Sequence, residues 1–199
     1  MKLGEIKLQA LMLIYPSLVL EYDGDDFEEI IFRLRGNHSY SSYIASMVGA
    51  INRAFTIIEQ RGLSKIELLS LESDGKLLDL SQHKEILSVK EIYVNGSRAD
   101  FELLSSDKIK IPSAKSKDKL EIVYYKRLTR ISNITSNNLE LMLGGIEECI
   151  PYFIKADLLS GEDMDSALAS RETFYNMLKE FASKNSDTSF LTVYSLRGI

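Results

Sequence analysis

Side chains able to do covalent or acid–base chemistry are few in this chain of 199 residues. It has one cysteine, Cys149, and two histidines, His38 and His83. Both histidines stand in polar stretches, Gly36-Asn-His-Ser39 and Ser81-Gln-His-Lys84, and read as exposed side chains. Neither lies at a spacing from Cys149 that suggests an activated thiol, and a small buried thiol is the ordinary reading of that cysteine. Glu28-Glu29 and Glu147-Glu148 are sequence neighbours, which point apart on a helix and make no acid–base dyad. Asp23-Gly-Asp-Asp26 resembles the opening of a calcium loop but lacks its alternating ligands and closing glutamate, so a solvated turn is expected. Glu162, Asp163 and Asp165 suit the positive end of a helix. No phosphate loop, zinc-protease or hydrolase signature occurs. The expectation is a chain without enzymatic activity, metal or cofactor.

A cluster of basic residues suggests binding. Lys108, Lys110, Lys115, Lys117, Lys119, Lys126, Arg127 and Arg130 crowd one region and are interleaved with Tyr124 and Tyr125. Such a stripe could hold single-stranded nucleic acid through phosphate contacts and base stacking. The alternative is lysine placed on edge strands to discourage aggregation, together with a solvated loop. The second reading is preferred, because no aromatic pair recurs at stacking spacing on other strands. A formal net charge of -5 also argues against a general polyanion binder.

The elements that would position these residues follow from periodicity. A helix is expected over residues 3–15, apolar nearly all round, and stopped by Pro16. After a short extended piece, Leu18-Val-Leu-Glu-Tyr22, and the Asp23–Asp26 turn, Phe27–Arg35 reads as a short helix. Ser41–Arg61 is the clearest helix, with Ile44, Met47, Val48, Ile51, Phe55 and Ile58 on one stripe and Gly62 as its stop. From Lys65 to Arg130 the period shortens to that of strands. Asn95-Gly96 marks a tight hairpin, and Asp74-Gly75 is expected to form a second turn of the same kind.

Downstream, Ile146, Cys149, Ile150, Phe153 and Ile154 share one helical face, with Pro151 bending that helix or starting a new first turn. A second helix over about Asp163–Lys184 carries Ala167, Leu168, Phe174, Leu178 and Phe181 at the same period. Together they predict an αα-hairpin around which the chain is organised. The tail Ser189–Leu196 is β-prone and could close a sheet or add to a partner's sheet edge.

The fold class is thus α+β: a bundle of about four helices, an inserted antiparallel β-module and an extended β-prone C-terminal tail. Boundaries are expected at 1–63 for the N-terminal helices and 64–138 for the β-domain. Residues 139–185 would complete the helical core and 186–199 form the tail. A composition of 45% hydrophobic and 27% charged residues is ordinary for a water-soluble globular protein. With one cysteine, no intrachain disulfide is expected, and no apolar run approaches membrane-spanning length. The opening Met1-Lys-Leu-Gly-Glu5 lacks a signal-peptide layout, so cytoplasmic synthesis is expected.

Three stretches resemble the head–tail connector (portal adaptor, or neck) proteins of tailed bacteriophages. Met1-Lys-Leu-Gly-Glu-Ile6 with Ala10-Leu-Met-Leu-Ile14 is similar to the opening helix of that family. Tyr43-Ile-Ala-Ser-Met-Val-Gly-Ala-Ile-Asn-Arg-Ala-Phe55 is similar to its long second helix, and Ile150-Pro-Tyr-Phe-Ile-Lys-Ala-Asp-Leu158 to its third. The resemblance implies a structural virion protein at the head–tail interface, a homo-oligomeric ring of about twelve copies. Its partners would be the portal protein and downstream neck or tail proteins. DNA would pass through the lumen without specific binding, and no membrane would be involved. A tail-terminator or other tail-completion ring protein is the alternative within the same reading, and a nucleic-acid-binding accessory protein the alternative outside it. Expected contact residues are Phe190, Leu191, Val193, Tyr194 and Leu196 of the tail, and Lys115, Lys117 and Lys119 of the basic loop.

Overall fold

The computed structural model describes residues 1–18, 27–132, 137–141 and 143–195, without the side chains of Phe27 and of 185–195. Two sequence expectations, the Asp23–Asp26 turn and most of the extended piece Leu18–Tyr22, lie outside the described residues. The fold is mixed α+β with antiparallel sheets. The chain divides into a helical unit, Met1–Ile58 with Arg130–Ile199, and a β-unit, Glu59–Thr129.

The helical unit contains α1 (Leu3–Ile14), α2 (Phe27–Arg35), most of α3 (His38–Gln60), α4 (Ile150–Leu158) and α5 (Met164–Ser195). The apolar stripe of α3 is buried at Ile44, Met47, Ala50, Ile51, Ala54, Phe55 and Ile58, each large side chain contributing about 1.5–3 kcal/mol. Pro151 starts a new first turn rather than bending a continuous helix. A 3-10 turn, Ile146–Cys149, precedes it, and α4 begins with the proline in its opening positions, where no amide donor is missed. Phe153 of α4 stacks on Phe174 of α5 with ring centroids 5.0 Å apart. Leu168, expected on the buried stripe of α5, is exposed.

Two departures have clear physical reasons. The tail is not an extended strand: α5 continues through Phe190, Leu191, Val193 and Tyr194 to Ser195, and Leu196 lies outside the described residues. Its residue types favour a strand, but extending an existing helix adds one backbone bond per residue with no new nucleus to form. The second departure is a buried lysine. Lys7 has no exposed surface, and its Nζ donates to Asn137 Oδ1 at 2.9 Å.

Asn137 belongs to a clasp that closes the helical unit. A helix leaves its first amide donors unpaired. On α1 they are met by the segment 137–141, where Gly4 N–H donates to Asn137 O and Leu3 N–H to Leu139 O, both at 2.9 Å. Leu141 N–H donates to Met1 O in turn. Gly4 allows the approach, since a Cβ there would sit 3.3 Å from Asn137 Cβ. Further along, Asn52 of α3 accepts from Ile131 N–H and donates to Ile131 O, fixing the returning chain. Arg53 forks onto both carboxylate oxygens of Asp157, joining α3 to α4.

The β-unit has seven strands: β1 (Ile66–Glu72), β2 (Leu77–Asp79), β3 (Ile86–Val94), β4 (Ser97–Ala99), β5 (Glu102–Leu103), β6 (Lys108–Lys110) and β7 (Lys119–Lys126). They form one sheet in the order β1-β7-β3-β4 and another in the order β2-β6-β5, all pairs antiparallel. The sheets share a core of Leu80, Ile92, Ile109, Ile111, Ala114, Leu120, Ile122 and Tyr124. Asn95 and Gly96 both have positive φ and join β3 to β4 in the tight hairpin their types require. Asp74-Gly75 is not a second hairpin, because β1 and β2 belong to different sheets and the turn carries the chain from one to the other.

Burial pushes the Lys7 ammonium down to about 8, and the like charge of Arg35 adds to the shift. Below that pH the residue is charged in both the folded and unfolded states. Between about 8 and 10.5 the unfolded chain binds the extra proton, so stability rises with pH across this window. Relative to Lys7→Met, the wild-type protein should gain about 3 kcal/mol of unfolding free energy over that range, measured by urea titration. A pH-independent difference between the two proteins would contradict the burial of the charge.

Candidate interaction site

At one end of the β-unit, three turns are bonded into a single rigid tip. Asn95, from the β3–β4 hairpin, donates through Nδ2 to Asp118 Oδ1 and accepts at Oδ1 from Lys119 N–H, each at 2.9 Å. Its own N–H donates to Lys119 O. Asp118 also accepts from Lys115 N–H at 2.7 Å, and its N–H returns to Lys115 O. Ser73, after β1, donates its N–H to Asp118 O and accepts from Lys117 N–H at 2.7 Å. The Ser73 hydroxyl closes the Gly75 turn through that residue's N–H and carbonyl. The Asn95 side chain and the Lys115 amide, followed by the charge of Lys115, hold the Asp118 carboxyl below the usual range.

This tip carries the expected loop lysines. Lys115 and Lys117 are exposed, and the charge of Lys115 acts on the Asp118 carboxyl. Lys117 sits at φ +71, an uncommon conformation for a residue with a Cβ, and its amide is bonded across to Ser73. Lys119 begins β7 and pairs with Glu121 at 2.7 Å. The structure thus brings Lys115, Lys117 and Lys119 together on one preorganised edge. The expected tail residues Phe190, Leu191, Val193 and Tyr194 fall on the last turns of α5 instead.

The other basic residues are not edge guards. Lys108 and Lys110 lie on β6 and Lys119 and Lys126 on β7, and each of these strands is central in its sheet. Several are already paired. Lys110 meets Glu102, while Lys126 and Lys65 converge on Glu67. Partial burial alone would raise the Glu67 carboxyl, but its bonds to Lys126 and Lys65 outweigh that and lower it. Tyr124 is buried in the core with its hydroxyl toward Glu67, so it shares no face with Tyr125. A row of stacking rings beside the lysines is therefore not formed by this pair.

Elsewhere several titratable groups are engaged in local contacts. Cys149 is buried, its Sγ donating to Ile146 O at 2.9 Å, and burial pushes the thiol up to about 12. Tyr43 donates to Glu162, which together with burial raises its hydroxyl well above the usual tyrosine range. His83 is half-buried rather than exposed, with Nδ1 3.2 Å from Glu85. His38 is exposed at the start of α3. No group of three His, Cys, Asp or Glu residues able to hold a metal occurs among the described residues. A cavity of about 300 Å³ lies between the 3-10 turn and α5, bounded by Ile146, Cys149, Met177, Phe181, Glu148 and Glu180. The left-handed Gly145 makes its floor possible, since a Cβ there would press on the Phe181 ring at 3.2 Å.

Sequence reasoning missed Asn95, Asp118 and Ser73 as the organisers of this tip. The signal available was the Asn95-Gly96 hairpin itself, since an asparagine at a positive-φ turn has a side chain free to bond elsewhere. No protein-family model matches the chain, and no curated protein is significantly similar to it.

Asp118→Ala should leave the sheets intact while amide hydrogen exchange at Lys115, Lys117 and Lys119 accelerates. Unchanged exchange would show that the loop is held by something else. Native Cys149 should react with a maleimide only on the timescale of unfolding, and rapid labelling at pH 8 would contradict its burial.

Proposed function

We propose that this chain is a structural subunit of a tailed-bacteriophage neck, a ring adaptor joining the portal of the head to the tail. Its role is scaffolding, and DNA passes without specific binding. The observation that carries this reading is where the three resembling stretches fall. They form α1, the middle of α3 and α4, three helices of one unit, with α1 packed on α4 and Arg53 of α3 clamped to Asp157 of α4. These three stretches therefore fall within one compact unit of the fold.

The β-unit fits the same role. A ring subunit must present contacts whose geometry is set before assembly, because ordering a loop on binding consumes part of the interaction energy. The tip carrying Lys115, Lys117 and Lys119 is held by backbone and side-chain bonds on all three of its turns, so little ordering remains. Exposed lysines of this kind suit an acidic patch on the adjoining ring.

The test is assembly with a tailed-phage portal protein from the same genome, viewed by electron microscopy. A collar of about twelve copies on the portal is expected. The triple variant Lys115→Ala, Lys117→Ala, Lys119→Ala should keep its fold and bind at least about tenfold more weakly. A chain ending at Asp187 should also fold but lose the collar. Binding to the tail tube and not the portal would move the protein to tail completion. Association with neither would overturn the reading.

A further inference from the structure

Among the described residues, the β-unit leaves one long strand unpaired on its outer side. β1 ends its sheet, whereas the other edge strands, β2, β4 and β5, are only two or three residues long. β1 pairs with β7 over seven residues without a register shift, while the β3–β7 ladder is broken twice. Its sequence, Ile66-Glu-Leu-Leu-Ser-Leu-Glu72, contains no proline, bulge or lysine. An edge this long and regular, without proline, bulge or lysine, is a template for another strand.

The pairing parity identifies which groups are open. Lys126 N–H donates to Lys65 O and Ser73 N–H to Asp118 O, so the odd-numbered residues of β1 bond to β7. The N–H and C=O groups of Ile66, Leu68, Ser70 and Glu72 therefore point away from the sheet. The side chains of the same residues form its outer face, where Ile66 is 41% and Leu68 51% exposed. Leu69 and Leu71 face the core but are only partly covered.

We propose that this edge docks a second copy of the chain, the two β1 strands pairing antiparallel about a two-fold axis at Leu69. In this register Ile66 meets Glu72 of the second copy and Leu68 meets its Ser70, so every open backbone group finds a partner. Leu69 faces Leu69 across a non-hydrogen-bonded site, and Glu67 faces Leu71. No like charges stand opposite each other. The result is one continuous eight-stranded sheet, four strands from each copy. The contact closes on itself, and it stands independently of the neck reading.

Sedimentation of the full-length protein alone, over a concentration series reaching the millimolar range, should show a monomer–dimer equilibrium. Ser70→Pro removes an outward N–H while sparing every bond to β7, and it should weaken the dimer at least about tenfold. Leu69→Cys should crosslink two copies under mild oxidation, because facing residues at such a site match disulfide geometry. Glu72→Cys should not, its counterpart lying at the far end of the strand. A monomer at all concentrations, an oligomer unaffected by Ser70→Pro, or crosslinking at Glu72→Cys in place of Leu69→Cys would each overturn the pairing. Portal binding is read in a separate experiment, so either reading can fail without the other.

Discussion

The first turn of α1 has amide donors that no helix can satisfy from within, and the helical unit is built around meeting them. Carbonyls of Asn137 and Leu139 accept from Gly4 and Leu3. This joins parts of the chain more than a hundred residues apart. The Asn137 side chain then receives the buried Lys7 ammonium. With the clasp closed, α1 can lie on α4, and the bonds of Asn52 to Ile131 hold the returning chain against α3. One requirement for hydrogen bonds, set at a helix end, thus dictates where the returning chain must run.

Sequence periodicity captured the elements whose buried residues are spaced within a single helix or strand. The stripe of α3, the buried face Ile146–Ile154 and the strand runs of the β-unit were all readable, because each is a local pattern backed by apolar burial. Features that depend on distant partners were not. Lys7 looks like a polar interruption of α1 until Asn137 is seen beside it. Asn95 and Asp118 lie 23 residues apart and have no motif spacing, although their bond sets the geometry of the basic loop. The lysines of β6 and β7 gave no hint that these strands are central, since strand order is fixed by pairing and not by composition. The last turns of α5 were misread because residue type alone favours a strand there.

Charge in this protein is arranged more by pairing than by accumulation. Glu67 gathers Lys65 and Lys126, Glu102 meets Lys110, and Glu121 meets Lys119. Three of the eight residues in the basic stripe, Lys110, Lys119 and Lys126, are paired with carboxylates, while Lys115 and Lys117 lie exposed on a stiff tip. The chemistry of the buried groups points the same way. Burial holds the Cys149 thiol protonated, and the hydrogen bond to Glu162, followed by partial burial, does the same for the Tyr43 hydroxyl.

The two-segment construction of the helical unit has a consequence for synthesis. As the ribosome releases the chain from its N-terminus, α1, α2 and α3 emerge without the carbonyls of Asn137 and Leu139 or the main-chain groups of Ile131. The β-unit, Glu59–Thr129, is contiguous and has its whole core available before any of these arrive. At a translation rate of about 5–20 residues per second, the early helices wait several seconds with their apolar stripes uncovered. Nascent helices in that interval are natural clients for chaperones, while the β-unit already holds the whole of its own core.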